Sequence, residues 1–270
     1  MKITFLCENS VQGGRGLLGE HGLSILVESE GRTLLFDTGQ GLGLTSNARA
    51  LGVDLSEIDE VVLSHGHYDH TGGLQALLEG AEGLRITAHP EVFSPKYSNR
   101  GGRPHYIGIP FSKEALEGWG AELRLVREPV EVIPGVFTTG EVPGERMDRD
   151  LLVKTPQGFD PDPLRDDLSL FAETPEGIVL ILGCAHAGVV HIMEHVQGMV
   201  GRRPFALVVG GTHLGPLPGD RRREAIEGLK AFAIRAMGVA HCTGLENLPL
   251  LEEELEATVF PSFVGMRIEV

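Results

Sequence analysis

The chain has 270 residues, of which 41% are apolar, enough for a sizeable core without a disulfide framework. Its 23 basic and 38 acidic residues leave a formal net charge of −15, which opposes general nucleic-acid binding, since that depends on basic side chains to neutralise phosphates. No stretch reaches the roughly 18 consecutive apolar residues of a membrane span, and three widely spaced cysteines, Cys7, Cys184 and Cys242, point to a reducing compartment.

In chain order, Lys2-Ile3-Thr4-Phe5-Leu6 reads as a first strand rather than a signal peptide, so a cytoplasmic setting is expected. A glycine-rich loop from Gly13 to Gly22 follows. Leu23 to Ser29 and Arg32 to Phe36 form an antiparallel pair around Glu30-Gly31, and Asp37-Thr38-Gly39 ends the second strand. A short helix is expected over Leu44 to Leu51, capped near Thr45 or Ser46. Ile58 to Ser64 is a strand, Thr71 to Leu78 a helix, and Leu84 to Ala88 another strand. Residues 89–110 and 143–167 are irregular and suggest lids. Between them lie a short helix near Lys113 to Glu117 and strands at Arg124 to Val126 and Val130 to Ile133, expected to pair, followed by Val136 to Thr139.

The pattern then repeats. Leu168 to Glu173 and Ile178 to Leu182 make a hairpin, and a helix starts over Val189 to Val196. Phe205 to Val209 is an apolar strand, Arg221 to Met237 a helix of 3.6-residue period, and Val239-Ala240 the end of another strand. Ala257 to Phe260 and Met266 to Val270 are further strand candidates. Two such halves, each moving from antiparallel strands to strand–helix–strand units, bury best as one domain over residues 1–270. The expected architecture is an α/β four-layer α/β/β/α sandwich, with two mixed sheets and helices on both outer faces.

The chemistry concentrates in His65-Gly66-His67-Tyr68-Asp69-His70, three imidazoles and a carboxylate directly after an apolar strand. Neutral imidazole and carboxylate are the usual ligands of zinc, iron and manganese. An extended or turn-like backbone lets His65 and His67 face one ion, and Asp69 and His70 a second. Asp37, His186, His213 and His241 also follow apolar strands, where polar groups converge at a sheet edge. His186 and His241 are therefore candidate ligands, and His21 and His213 candidates for contact with substrate or for proton transfer. His191 and His195 stand four apart on a helix, a spacing better explained by amphipathicity. Lys96, Arg100, Arg103 and Tyr106 offer either a basic rim for an anion or an ordinary polar lid.

The histidine run resembles the signature of the metallo-beta-lactamase fold superfamily. Asp37-Thr38-Gly39, Gly183-Cys184-Ala185-His186 and His241-Cys242-Thr243-Gly244 are similar to its other elements, in the same order. Glu20-His21-Gly22-Leu23-Ser24 and Gly211-Thr212-His213-Leu214 resemble a subgroup that includes archaeal dihydropterin ribofuranosylaminobenzene phosphate synthases and bacterial metal-dependent hydrolases. The resemblance implies metal ligation by His65, His67, Asp69, His70 and His241, with Asp37 ordering the histidine loop through hydrogen bonds. The sequence departs from the pattern in two places. The turn that usually carries a histidine is Ile133-Pro134-Gly135-Val136, and no aspartate stands at the bridging position near Cys184. His186 is expected to supply the missing histidine contact, with Cys184 or Glu141 near the bridge.

These readings lead to a hydrolase with one or two divalent ions, zinc foremost and manganese or iron as options. Its expected reaction is attack of metal-bound hydroxide on a small anionic ester or phosphoester-like substrate, with Asp69, His213 and His21 as catalytic candidates. The alternatives are a phosphate-displacing synthase of the dihydropterin type, or a metal- or ligand-binding protein with little turnover. A monomer or homodimer is expected, without nucleic-acid or membrane partners.

Overall fold

The computed structural model describes residues 1–13, 16–79, 83–144, 148 and 150–270. Two seven-stranded sheets dominate it. The first runs in the order Arg267–Glu269, Lys2–Cys7, Ser24–Ser29, Arg32–Phe36, Glu60–Val62, Leu84–Ala88, Ala121–Leu125. Its first three pairings are antiparallel and the rest parallel. The second runs Thr258–Pro261, Ala236–Ala240, Phe205–Gly211, Gly177–Leu182, Ser169–Thr174, Val136–Thr138, Glu131–Ile133, with three parallel pairings followed by three antiparallel ones. The expected likeness of the halves thus appears as two mixed sheets of the same make-up, although the C-terminal strand closes the edge of the first sheet.

Side-chain alternation explains the layering. Leu34 and Phe36 face one way and Leu35 the other; Val179 and Ile181 oppose Ile178, Leu180 and Leu182. One face of each sheet meets the other sheet in a shared apolar layer of Phe5, Ile25, Phe36, Val62, Leu170, Ile181 and Val209. Helices Leu44–Leu51, Leu74–Leu78 and Lys113–Gly118 cover the outer face of the first sheet through Leu44, Leu74, Leu77 and Leu116. Helices Val189–Val200, Gly219–Leu229 and Leu248–Glu254 cover the second through Ile192, Met193, Ile226 and Leu251. This is the α/β/β/α sandwich read from the sequence.

Several local expectations need correction. The helix expected over Arg221 to Met237 ends at Leu229, because turn bonds from Ala231 N–H to Gly228 O and Phe232 N–H to Leu229 O close it. Ala236–Ala240 is then a strand. Phe232, Ile234 and Met237 continue the apolar rhythm only because they pack into the same outer core. Arg124 and Val132 do not lie on paired strands: Ala121–Leu125 joins the first sheet and Glu131–Ile133 the second, where Val132 and Ile133 enter the inter-sheet layer. The helix Leu44–Leu51 starts one residue before Thr45, with Gly43 at its N-cap. The Glu20 carboxylate, rather than a local hydroxyl, takes the N–H groups of Leu42 and Gly43. The helix expected from Thr71 is two short ones, Tyr68–Thr71 and Leu74–Leu78, separated by Gly72-Gly73.

The two irregular stretches hold strands that the sequence did not announce. Gly158–Pro161, Leu151–Thr155, Lys96–Ser98 and His105–Tyr106 pair in that order as a third, four-stranded sheet. Residues 145–147 and 149 of the second stretch, and 14–15 of the glycine-rich loop, lie outside the described residues. No helix among the described residues is long and apolar enough to cross a membrane.

The parallel arrangement positions the chemistry. Arg32–Phe36 and Glu60–Val62 run the same way, as do Gly177–Leu182, Phe205–Gly211 and Ala236–Ala240. Their C-terminal ends carry Asp37, the histidine run, Cys184 to His186, His213 and His241. Phe36→Ala, which empties a fully buried position of the shared layer, is expected to lower unfolding free energy by about 3–5 kcal/mol, read by urea denaturation.

Candidate metal centre

The loop from Ser64 to His67 folds tightly against the 3-10 helical turn Pro90–Phe93 that follows strand Leu84–Ala88. A Cβ on Gly66 would lie 1.9 Å from the carbonyl oxygen of Val92, so only glycine fits there. The Gly66 N–H donates to Asp166 Oδ2 at 2.8 Å. Asp166 Oδ1 in turn receives Lys96 Nζ at 2.8 Å, and Lys96 also donates to Asp162 at 3.0 Å. Lys96 is 1% exposed, so it clamps the small sheet onto the histidine loop and is not part of a basic rim.

Hydrogen bonds set the tautomers. The Asp37 carboxylate can only accept, so Ser64 Oγ donates to its Oδ2 at 2.7 Å. Ser64 Oγ then accepts from His65 Nδ1 at 2.8 Å, leaving a lone pair on His65 Nε2. That nitrogen lies 2.8 Å from His67 Nδ1 and 3.2 Å from His186 Nε2. Burial holds His65 and His186 well below the ordinary imidazole range and brings His67 to about 3, so all three rings are neutral at pH 7. The far nitrogens, His67 Nε2 and His186 Nδ1, are buried without a hydrogen-bond partner among the described residues. Three neutral imidazoles with converging nitrogens are a donor set that fits a divalent cation and little else.

A second seat adjoins it. His70 Nδ1 donates to Asp37 Oδ2 at 2.7 Å, turning His70 Nε2 toward His241 Nε2 at 3.2 Å. Asp69 Oδ2 lies 3.3 Å from His241 Nε2 and 3.9 Å from His70 Nε2. His241 is itself oriented: Nδ1 donates to Asn9 Oδ1 at 3.0 Å, and its backbone N–H to Glu8 Oε1 at 2.7 Å. Gly22 N–H also donates to Asn9 Oδ1, which fixes that amide. Burial opposes charge on His70, but Asp37 and Asp69 outweigh it and raise it to about 9. Burial likewise pushes Asp69 up, yet His70, His21 and His241 hold its carboxyl well below the usual range. The same two carboxylates favour positive charge beside His70 Nε2. Cys184 Sγ, 3.2 Å from His70 Nε2, stands beside both seats where the aspartate was missing.

The other candidates separate by position. His21 lies at the mouth with its side chain 57% exposed and Nε2 at 3.2 Å from Asp69 Oδ2, a bond that raises its pKa. His213 is buried, and its Nε2 meets Asp148 Oδ2 at 3.1 Å. Burial opposes its charge, but Asp148 and Cys242 raise it to about 9. Asp148 is held at about 2 against its own burial by His213 and Arg100, with which it is also paired. Glu141 is remote from the bridge, bonded to Arg127 beside His89. His191 and His195 bond the carbonyls of Ala187 and Thr139, as helix-face residues. Arg100 and His105 line the cavity over the centre; Lys96 does not, and Tyr106 donates to Ile109 O. Glu8, Asn9, Ser64, Asp148 and Asp166 were not singled out from the sequence. Glu8-Asn9 does follow a strand end, the signal that marked Asp37; the two aspartates sit in aperiodic segments and carry no such signal.

The sequence profile described as the metallo-beta-lactamase superfamily matches residues 18–200. The chain is 29% identical over 273 residues to a Methanocaldococcus jannaschii protein named 7,8-dihydropterin-6-methyl-4-(beta-D-ribofuranosyl)-aminobenzene-5'-phosphate synthase, covering 95% of this chain and 92% of that one. It is 30% identical over 256 residues to the uncharacterized protein MJ0448 of the same organism, covering 93% and 94%. Among solved structures it is similar to Tm1679, described as a metal-dependent hydrolase of the beta-lactamase superfamily, with a TM-score of 0.84, 30% identity and coverage of 100% and 99%.

Two substitutions test this geometry. Asp37→Asn removes the acceptor that orients His70 and anchors Ser64, and is expected to weaken divalent-metal affinity about 10–100-fold, measured by chelator competition. Lys96→Met leaves Asp162 and Asp166 buried without their cation and should destabilise the fold by about 3–5 kcal/mol, read by urea denaturation.

Proposed function

Because the chain belongs to the metallo-beta-lactamase superfamily, we propose that it is a metal-dependent hydrolase of a small anionic ester or phosphoester-like substrate. The observation that carries this reading is the pair of adjoining seats opening on one cavity of about 280 Å³. His65, His67 and His186 would hold one divalent ion, and Asp69, His70 and His241 a second, with Cys184 beside both. What such an ion supplies is Lewis acidity: it eases deprotonation of water and stabilises negative charge developing on oxygen. Imidazole-rich seats favour zinc, with manganese or iron as substitutes.

The chain's own groups do the rest. Asp37 and Asn9 keep the Nε2 lone pairs of His70 and His241 inward, by binding the protons on Nδ1. Arg100 lines the cavity and offers an anionic substrate a guanidinium fork. Tyr68, Ile107, Leu151 and Pro216 form apolar parts of the wall and limit water around the reacting bond. His21, exposed at the mouth with its proton held toward Asp69, is placed to protonate a departing group. The cavity falls near the lower end of ordinary ligand sites, about 300–1,000 Å³, which suits a small substrate.

A second reading follows from the archaeal relative, whose name describes a synthase and which matches nearly the whole chain. In that case ions held in the same seats would polarise a phosphate leaving group during formation of the compound given in that name. Product analysis separates the two, since a hydrolase consumes a single substrate and water. Activity across phosphoester, lactone and thioester substrates is expected to disappear with a chelator and return with zinc. His67→Ala, which takes one donor from the first seat, should abolish turnover while the circular dichroism spectrum stays unchanged. Undiminished turnover in the chelator, or in His67→Ala, would contradict the proposal.

A further inference from the structure

Beside the histidine seats, two thiols and an imidazole converge. One ligand atom each from Cys184, Cys242 and His213 lie within 4.8 Å of one another. Cys242 Sγ accepts the His213 backbone N–H at 3.3 Å and lies 3.4 Å from Cys184 O. Gly211 makes room for it, since a Cβ there would sit 2.6 Å from that sulfur. His213 is 7% exposed. Its Nε2 faces the Asp148 carboxylate, which can only accept, so Nε2 carries a proton. The other nitrogen, Nδ1, is buried and has no hydrogen-bond partner among the described residues. A carboxylate bonded to one nitrogen of an imidazole that groups with two thiols is the arrangement by which proteins orient a metal-binding histidine. Cys242 and Cys184 also line the cavity, so the cluster can be reached from solvent.

We infer that Cys184, Cys242 and His213 form a third cation seat, selective for a soft or borderline d-block ion such as zinc, cobalt(II) or copper(I). Two sulfurs and one imidazole are the donor set such ions prefer over magnesium, calcium or manganese, which take oxygen. Binding displaces the protons of both thiols and any proton on Nδ1. Cys184 also groups with His65 and His70, so this seat adjoins the histidine centre. The inference does not depend on which reaction the centre performs.

The test uses full-length protein stripped with a chelator, kept reduced with a phosphine, and titrated with Co²⁺. Wild type should take up one equivalent more than either Cys242→Ser or His213→Ala, and both variants should lose most of the thiolate-to-cobalt charge-transfer absorption. His67→Ala should keep that absorption while losing uptake at the histidine seat, which separates this seat from the proposed hydrolytic centre. Circular dichroism checks that each variant folds. Equal stoichiometry and superposable spectra in wild type, Cys242→Ser and His213→Ala would overturn the inference. So would loss of two thiols per chain as a Cys184–Cys242 disulfide in air, if the reduced protein shows no thiolate–cobalt absorption.

Discussion

Asp37 is a carboxylate sealed from solvent, and its oxygens accept from the Ser64 backbone N–H, from Ser64 Oγ and from His70 Nδ1. Removing a carboxylate from water costs several kcal/mol unless hydrogen bonds replace the lost hydration, so these three bonds fix where each partner must sit. Through Ser64 the constraint reaches His65, and through His70 it reaches His241 and Cys184. One buried acceptor therefore sets the direction of lone pairs in both seats. The neighbouring backbone follows: Thr38 donates its N–H and hydroxyl to the carbonyl of His70, tying the strand that carries Asp37 to the helix that carries Asp69.

The strand ends are held in costly conformations. Asp37, Ala185, His213 and His241 have φ of 60°, 55°, 56° and 50°, a region that residues with a Cβ seldom occupy. Each costs on the order of 1–3 kcal/mol, and such a cost persists only where the surroundings over-determine the backbone. Here the surroundings are the three apolar layers and the parallel strand pairings that end at this edge. The left-handed residue turns each side chain back over the sheet edge, which brings groups from strands far apart in sequence into contact. Stability stored in the sandwich is thus converted into placement of the histidine, cysteine and aspartate side chains at this edge.

Much of this was legible in the sequence because it is written in short-range patterns. Alternating apolar strands, their connections and the histidine run after Leu63 led to the layered α/β sandwich and to the residues that meet at its edge. What stayed hidden depends on distant partners. Lys96 looks like a surface cation until Asp162 and Asp166, more than sixty residues away, are seen to bury it. Asp148 has no local signal, since its partners His213 and Arg100 come from other segments. Val130 to Ile133 follows Arg124 to Val126 closely enough to suggest a hairpin, yet the chain uses that gap to change sheets. The helical period after Arg221 runs past the helix end at Leu229 because a strand packing on the same core as a helix can continue its apolar rhythm for a few residues.

The most direct measurement is anomalous diffraction from crystals of the protein loaded with zinc. Strong peaks are expected among His65 Nε2, His67 Nδ1 and His186 Nε2 and among Asp69 Oδ2, His70 Nε2 and His241 Nε2, apart from any peak at the Cys184, Cys242 and His213 seat. Crystals soaked to saturation that show no peak at either position, with the five histidines hydrogen-bonded only to protein and water, would contradict the assignment of this edge as a metal centre.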